Sequence, residues 1–263
     1  MARANRHYIP GCIWHITHRC HKREFLLKFA RDRRCWLEWL FEGKKRYGAC
    51  ILNYAVTSNH IHLLVKDGQR WEVIPKTIQL IAGRTGQEFN QRKNRKGAFW
   101  EDRYHATAVE ADFHLIRCMV YIDLNMVRAG VVVHPSEWLF SGYNDIQIPR
   151  KRYSLIDYEI LMELLNIKNM EELKQSYRGW VEEELVKEDR GRQPRWTESV
   201  AVGSERFVEK TKEKLGTRAM GRQIIGRNGS YDLREFKTPY DVDFRPKNID
   251  LSAENTYYWD VSD

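Results

Sequence analysis

The segment Asn59-His60-Ile61-His62-Leu63-Leu64-Val65 places two histidines two residues apart in an otherwise apolar run. Successive side chains of a strand point to opposite faces, so a strand here puts His60 and His62 on one face and the apolar residues on the other. Two imidazoles side by side are suited to bind a metal ion. Structural histidines, or a polar strand face exposed to water, would give the same pattern, and the pair alone leaves these alternatives open.

A second motif lies further along the chain, in a segment with helical apolar spacing. Tyr121 and Asn125 are four residues apart, so a helix places them on one face, one turn from each other. Tyrosine on an apolar helix is commonly a core residue, and Asn125 could simply satisfy its hydroxyl. Combined with His60 and His62, however, Asn125 completes a set of two nitrogens and one oxygen. Such a mixed set with open positions favours Mg²⁺ or Mn²⁺ bridging a phosphate.

Tyr121 would then lie one helical turn from the metal, where its phenolic oxygen can attack phosphorus. A tyrosyl phosphodiester conserves the bond energy of a cleaved strand, because the phenol is also a good leaving group. Cutting and rejoining then need no ATP, and the sequence contains no G-x-x-x-x-G-K-[ST] loop. The cation would polarise the phosphate and stabilise the charge that develops during attack.

The composition is that of an ordinary globular protein. A chain of 263 residues, 42% hydrophobic and 30% charged, is large enough for two parts. No apolar run is long enough to cross a membrane, and no apolar signal segment follows Met1, so we expect no membrane partner and a cytoplasmic location. The five cysteines are odd in number and lack C-x-x-C spacing, which favours reduced thiols over a disulfide framework or a structural zinc site.

The formal charge of +8 is unevenly distributed along the chain. Residues 1–150 contain 24 Lys and Arg against 14 Asp and Glu, whereas residues 151–263 contain 20 against 22. All nine histidines also lie in the first part. A basic, histidine-rich segment joined to a near-neutral one predicts a domain that handles a polyanion, followed by an accessory region.

The order of apolar patterns predicts an α+β fold for residues 1–150. Period-two alternation and helical spacing are the criteria for the two kinds of element. Strands are expected at 12–17, 50–57, 60–66 and within the extended piece 99–109, and helices at 32–47, 73–92 and 112–130. The second and third strands form a hairpin. We therefore expect a ferredoxin-like antiparallel sheet with packed helices.

Beyond residue 150 the pattern changes. Helical spacing occurs at 155–165, 170–187 and 205–215, without strand alternation, so residues 151–263 are predicted to be an α-helical accessory region. From Gly221 onward, glycine, asparagine, aspartate and proline mix with aromatics without a period, as in a loosely attached tail.

A basic turn is predicted at residues 92–96, just before Phe99 and Trp100. Basic and aromatic side chains together can track phosphates and stack unpaired bases, although a solvated loop with both aromatics in the core would have the same sequence. The residues that we expect to contact DNA are Arg23, Arg92, Lys93, Arg95, Lys96, Trp100, Arg103, Arg117 and Arg128. For Arg128, capping of its helix end is the alternative.

These motifs together resemble the single-tyrosine HUH transposases of the insertion-sequence type, and more closely the REP-associated tyrosine transposases. The segment Asn59-His60-Ile61-His62-Leu63-Leu64 is similar to the HUH strand of that family, and residues 121–130 are similar to its tyrosine helix. Shorter similar segments bring the resemblance to residues 6–145: His15-Ile16-Thr17-His18-Arg19, Phe89-Asn90, 97–104 and 138–143.

The resemblance implies an HUH core at residues 1–150, with Tyr121 as the nucleophile and His60, His62 and Asn125 as ligands of Mg²⁺ or Mn²⁺. It also implies a single-stranded or hairpin DNA substrate, cut by a monomer or homodimer to leave a 5′-phosphotyrosine and a free 3′-OH. Two positions depart from the family. Thr57-Ser58 stands where relatives commonly have Met-Pro, and Met126 where they commonly have Pro, but neither change removes a reactive group.

Two alternatives belong to other functional classes. A domesticated regulator would bind nucleic acid without cleaving it, and the presence of all four reactive side chains counts against it. A metal-dependent hydrolase of small phosphates would release its product without a protein-linked intermediate, and the basic first part favours a large polyanion instead.

Overall fold

The computed structural model of the protein describes residues 9–187, 191, 193–227 and 229–235. The first six long elements follow in the order β1 (Ile13–Arg19), α1 (Ala30–Tyr47), β2 (Cys50–Val56), β3 (His60–Lys66), α2 (Val73–Arg92) and β4 (His105–Val109). These strands lie in the order β2-β3-β1-β4, and each neighbouring pair is antiparallel. This is the ferredoxin-like arrangement, so the predicted α+β fold is confirmed.

The central strands are buried on both faces. In β2 and β3 nearly every consecutive residue is inaccessible to solvent, which requires packed elements on each side of the sheet. A tight turn brings the chain into β3, and Thr57 closes it: the Thr57 hydroxyl donates to the His60 carbonyl at 2.8 Å and accepts from the His60 N–H at 3.1 Å. Thr57 thus makes side-chain hydrogen bonds that a methionine at this position could not make.

The helix predicted from residue 112 to 130 is bent in two. It comprises α3 (Phe113–Asp123) and α4 (Asn125–Arg128), separated by Leu124 with φ −79° and ψ 3°. Backbone bonds continue across the bend, from the Leu124 N–H to the Val120 carbonyl (3.0 Å) and from the Arg128 N–H to the Leu124 carbonyl (2.9 Å). Asn125 therefore lies at the start of a new turn rather than within one straight helix.

The remaining helices are α5 (Gly142–Gln147), α6 (Tyr158–Leu164), α7 (Met170–Val186), α8 (Arg195–Glu198) and α9 (Glu205–Leu215). The predicted helices after residue 150 are thus present, but the expectation that this region has no strands is wrong. Three strands extend the sheet beyond β4 in the order β5-β7-β6: β5 (Ala201–Gly203), β6 (Arg222–Arg227) and β7 (Ser230–Glu235).

The sequence pattern did not predict these three strands, for physical reasons. The strand β5 has only three residues, too few for a period, and it pairs in parallel with β4. The hairpin of β6 and β7 lies at the edge of the sheet and carries charged side chains. The dipeptide Asn228-Gly229 is a strong hairpin signal that could have identified it.

The predicted tail from Gly221 begins within the sheet, since residues 222–227 and 230–235 are strands, and residues 236–263 lie outside the described part. The division of the chain at residue 150 stays a prediction, and one sheet runs through both parts. The five cysteines are free thiols, as predicted. Among the described residues, none of the helices has the length and apolar character needed to cross a membrane.

Candidate active site

The two histidines of the HUH-like strand meet Asn125 in space. Both lie on one face of β3, and their Nε2 atoms are 3.1 Å apart. The amide nitrogen Nδ2 of Asn125, at the start of α4, lies 3.0 Å from the His62 Nε2 atom. Amide nitrogen and oxygen exchange places on rotation of the group, so the Asn125 oxygen can occupy the same position. The structure therefore brings together the three side chains expected to be ligands.

The spacing of these atoms suits a shared cation. Neighbouring ligands of an octahedral ion, each about 2.1 Å from the metal, are about 3.0 Å from each other. The observed separations of 3.1 Å and 3.0 Å agree with that value. A set of two imidazole nitrogens and one amide oxygen thus fits a divalent ion such as Mg²⁺ or Mn²⁺.

The tautomer of His60 is set by its neighbour in the turn. The His60 Nδ1 atom is 2.7 Å from Oδ1 of Asn59, whose amide nitrogen donates to the Arg23 carbonyl at 3.2 Å and so keeps its oxygen towards the ring. A carbonyl oxygen only accepts, so Nδ1 of His60 carries the hydrogen. The Nε2 lone pair of His60 is then directed at the Nε2 atom of His62.

Both imidazoles are held in the neutral form that binds metals. Burial, with a smaller contribution from the nearby charge of Arg19, lowers the pKa of His60 to about 4. Burial also lowers the pKa of His62 well below its ordinary value, with a contribution from His60. A neutral imidazole keeps a free lone pair, so neither residue must lose a proton before it can bind a cation near neutral pH.

Tyr121 lies beside the histidine face. Its ring centroid is 5.8 Å from that of His62 and 6.1 Å from that of His15, and both contacts are edge-to-face. The residue is only 7% exposed. The guanidinium of Arg128 lies 4.3 Å above the ring and donates to the Tyr121 backbone carbonyl, while the ring of Trp196 lies 6.0 Å away.

Two cavities adjoin this group. His60 and His62 line one of about 150 Å³, together with Arg19 and Arg103. Tyr121 lines a second cavity of about 310 Å³, whose walls also include Arg117, Arg128, and Trp180 and Gln193 from the region after residue 150. The site is thus accessible to solvent through openings that carry basic side chains.

The residues predicted to contact DNA fall into two groups. Arg23, Lys93, Lys96 and Arg103 are exposed near the loops at this end of the sheet. The others make contacts within the protein. Arg92 forms an ion pair with the buried Asp32, and Arg95 donates to Asn90 and to the Ala98 carbonyl. Trp100 is half-buried, stacks on His18 at 4.2 Å and donates to the Ala82 carbonyl.

Two residues of the site were not predicted from the sequence. His15 on β1 stacks on His62, and the Trp196 backbone on α8 contacts His15. His15 shares one face of the predicted strand with Ile13 and Thr17, so this face was predictable from the sequence, but the partner of His15 was not. Within the residues described, no group of three or more His, Cys, Asp or Glu side chains is arranged to hold a metal ion. The candidate set depends on an asparagine.

The first part of this chain is similar to a known transposase family. Residues 8–125 match the family model described as transposase IS200 like. The matched range contains His60, His62, Tyr121 and Asn125. The resemblance drawn from the motifs is confirmed over these residues. Residues 126–263 lie outside the match.

Two solved structures are similar to the chain. One is a REP-associated tyrosine transposase bound to a REP hairpin, with 22% identity, a TM-score of 0.44, and coverage of 59% of this chain and 90% of that one. The other is a candidate transposase from Deinococcus radiodurans R1, with 16% identity, a TM-score of 0.31, and coverage of 39% and 82%. A search of curated proteins found no match.

Proposed function

We propose that this protein is a strand transferase that cuts single-stranded or hairpin-bearing DNA through Tyr121 with the help of a divalent cation. The observation that carries the proposal is that His60 and Asn125 both approach His62 Nε2, at 3.1 Å and 3.0 Å, while the Tyr121 ring centroid lies 5.8 Å from that of His62. The match of residues 8–125 to a transposase family model supports the same class of reaction.

Mg²⁺ or Mn²⁺ held by His60, His62 and Asn125 would polarise the scissile phosphate and stabilise its developing charge. The chain supplies the nucleophile and its surroundings. The Tyr121 oxygen forms a bond to phosphorus while the bond from phosphorus to the 3′ oxygen breaks, and overall one proton passes from the phenol to the departing oxygen. The products are a 5′-phosphotyrosine and a free 3′-OH.

The surface at this end of the sheet suits an unpaired strand. Lys28 and Lys93 place their ammonium groups 5.9 Å and 5.4 Å from the ring of Phe29, which is exposed. Aromatic rings stack on bases, and ammonium groups bind phosphates, so such a cluster binds single-stranded nucleic acid without reading its sequence. Binding should weaken steeply with added salt.

The test is capture of the covalent intermediate. Full-length protein is incubated with hairpin-bearing oligonucleotides labelled at either end, in Mg²⁺ or Mn²⁺, and separated under denaturing conditions. We expect the 3′-end label to travel with the protein and the 5′-end label to be released. Tyr121→Phe should form no adduct, EDTA should abolish it, and Tyr153→Phe, which alters an exposed ring, should form it normally. An adduct on Tyr121→Phe would refute the assignment.

One observation favours a second candidate, a nucleic-acid-binding regulator that does not cleave. Tyr121 is only 7% exposed and packs beside Arg128 and Trp196, so little of the candidate nucleophile is open to a phosphate. Salt-sensitive binding of hairpin oligonucleotides, with no adduct in either metal, would establish that alternative instead.

A further inference from the structure

A chain of hydrogen bonds leads from His62 away from the candidate metal site. Nδ1 of His62 is 2.9 Å from Nε2 of His15, and Nδ1 of His15 is 2.9 Å from the backbone carbonyl oxygen of Trp196. The three residues come from β3, β1 and α8. His15 is completely buried, so the chain of bonds is shielded from solvent.

The carbonyl oxygen at the end of this chain of hydrogen bonds determines which atom donates in each of them. The Trp196 carbonyl can only accept, so Nδ1 of His15 must carry a hydrogen. A neutral imidazole has one N–H group, which leaves Nε2 of His15 as an acceptor. That atom can bond to His62 only if Nδ1 of His62 donates. The Nε2 atom of His62 therefore carries a lone pair rather than a hydrogen, and this is the atom that faces His60 and Asn125.

We propose that His15 and the Trp196 carbonyl hold His62 in the tautomer that binds a divalent cation through Nε2, and that His15 is a positioning residue of this site. The identity of the ligand rests on the proposed function. The proposal also gives the segment around Trp196 a role in orienting a metal ligand. This segment lies outside the matched residues 8–125. A residue oriented in this way is a stronger ligand, because its ring and tautomer need no rearrangement on binding.

The Trp196 carbonyl is itself firmly placed. The backbone just after it joins the sheet, since the Ala108 N–H donates to the Val200 carbonyl at 2.8 Å. The Thr107 hydroxyl lies 2.7 Å from the Ser199 carbonyl and 3.3 Å from the Trp196 carbonyl. The Trp196 side chain is buried against Tyr121, so the same segment contacts both the ligand network and the candidate nucleophile.

His60 provides an internal comparison. Its tautomer is set by Asn59 and the Arg23 carbonyl, which lie within the matched segment and make no use of His15 or Trp196. Loss of His15 should therefore release His62 and leave His60 as it is. This difference separates a positioning role of His15 from a general loss of structure.

The first experiment needs neither metal nor DNA. Histidine side chains of the metal-free protein are labelled with ¹⁵N, and long-range ¹H–¹⁵N spectra identify the tautomer of each ring. We expect His62 and His15 as Nδ1–H tautomers. In His15→Phe, which keeps a ring but has no acceptor, His62 should become a mixture of tautomers and His60 should not change. A wild-type His62 found as the Nε2–H tautomer would overturn the proposal.

The second experiment measures Mn²⁺ binding by calorimetry. His15→Phe should weaken binding by about 10–100-fold, the usual effect of losing a group that orients a ligand. His15→Gln should recover most of it, because its amide can donate to the Trp196 carbonyl and accept from His62. His134→Phe, remote from the site, should bind as the wild type does. Equal affinity of His15→Phe and wild type would overturn the proposal.

The outcomes separate this inference from the proposed function. If the tautomers are as expected but no oligonucleotide yields an adduct, strand transfer fails and the positioning role stands. If the adduct forms through Tyr121 but His15→Phe leaves the His62 tautomer and Mn²⁺ affinity unchanged, the positioning role fails and strand transfer stands.

Discussion

Replacement of Tyr177 by phenylalanine should destabilise the protein by an amount that depends on pH. Tyr177 in α7 donates to Oδ2 of Asp123, and the side-chain amide of Asn53 donates to the same oxygen at 3.1 Å. All three residues are buried. Asp123 follows Tyr121 by two residues, so this contact holds the helix of the candidate nucleophile between β2 and the region after residue 150.

The magnitude follows from the charge of Asp123. Burial raises its pKa to about 7, although the hydrogen bonds from Tyr177 and Asn53 lower it. A raised carboxyl pKa means that stability is lost as pH rises from the unfolded value near 4 through about 7. At pH 5.5 the variant loses a bond to a neutral group, about 1 kcal/mol; at pH 8.5 it loses one to a carboxylate, about 1.5–3 kcal/mol.

The assay is urea unfolding followed by tryptophan fluorescence at the two pH values. Tyr153→Phe is the matched control, because that ring is 71% exposed and its hydroxyl should contribute less than about 0.5 kcal/mol. Asp123→Asn should remove the pH dependence of the Tyr177→Phe effect, since no charge can then form. A loss that is equal at both pH values, or larger at pH 5.5, would refute the reasoning.

Two further predictions concern stability. Gly142→Ala should lower the free energy of unfolding in urea by about 3 kcal/mol, because a Cβ atom there would lie 1.9 Å from Oδ1 of the buried Asn53. Gly179→Ala, with open space around it in α7, should raise the free energy of unfolding by about 0.5–1 kcal/mol. Equal effects of the two substitutions would contradict this prediction. Burial lowers the pKa of His15 to about 3, so its contribution is complete above pH 6.5 and is lost as pH falls towards 3. His15→Gln should therefore reduce the slope of unfolding free energy between pH 6 and 4 by about 1.4 kcal/mol per pH unit, and an unchanged slope would show that His15 takes up its proton in the folded protein.

Local patterns were enough to predict the ferredoxin-like core. The strand His60–Lys66 and the helix Val73–Arg92 have the predicted boundaries, because apolar residues recur with the period of each element and turn residues flank them. The fold of this part follows from alternation and connection order alone. The edge hairpin β6–β7 was missed, since an edge strand with charged side chains has no such alternation.

The candidate site shows the same limit. The sequence was sufficient to predict His60, His62, Tyr121 and Asn125 as candidate site residues, because their spacing along one strand and one helix is a local property. It could not reveal the bend at Leu124 or the partner of His15.

The contact between His15 and the Trp196 carbonyl joins positions 181 residues apart. Such a contact leaves no trace in local periodicity, because a backbone carbonyl is the same for every residue type. Its position depends on how α8 and β5 pack on the sheet. The candidate reactive side chains can therefore be predicted from the local sequence. The hydrogen-bond network that orients them forms only when distant segments fold against one another.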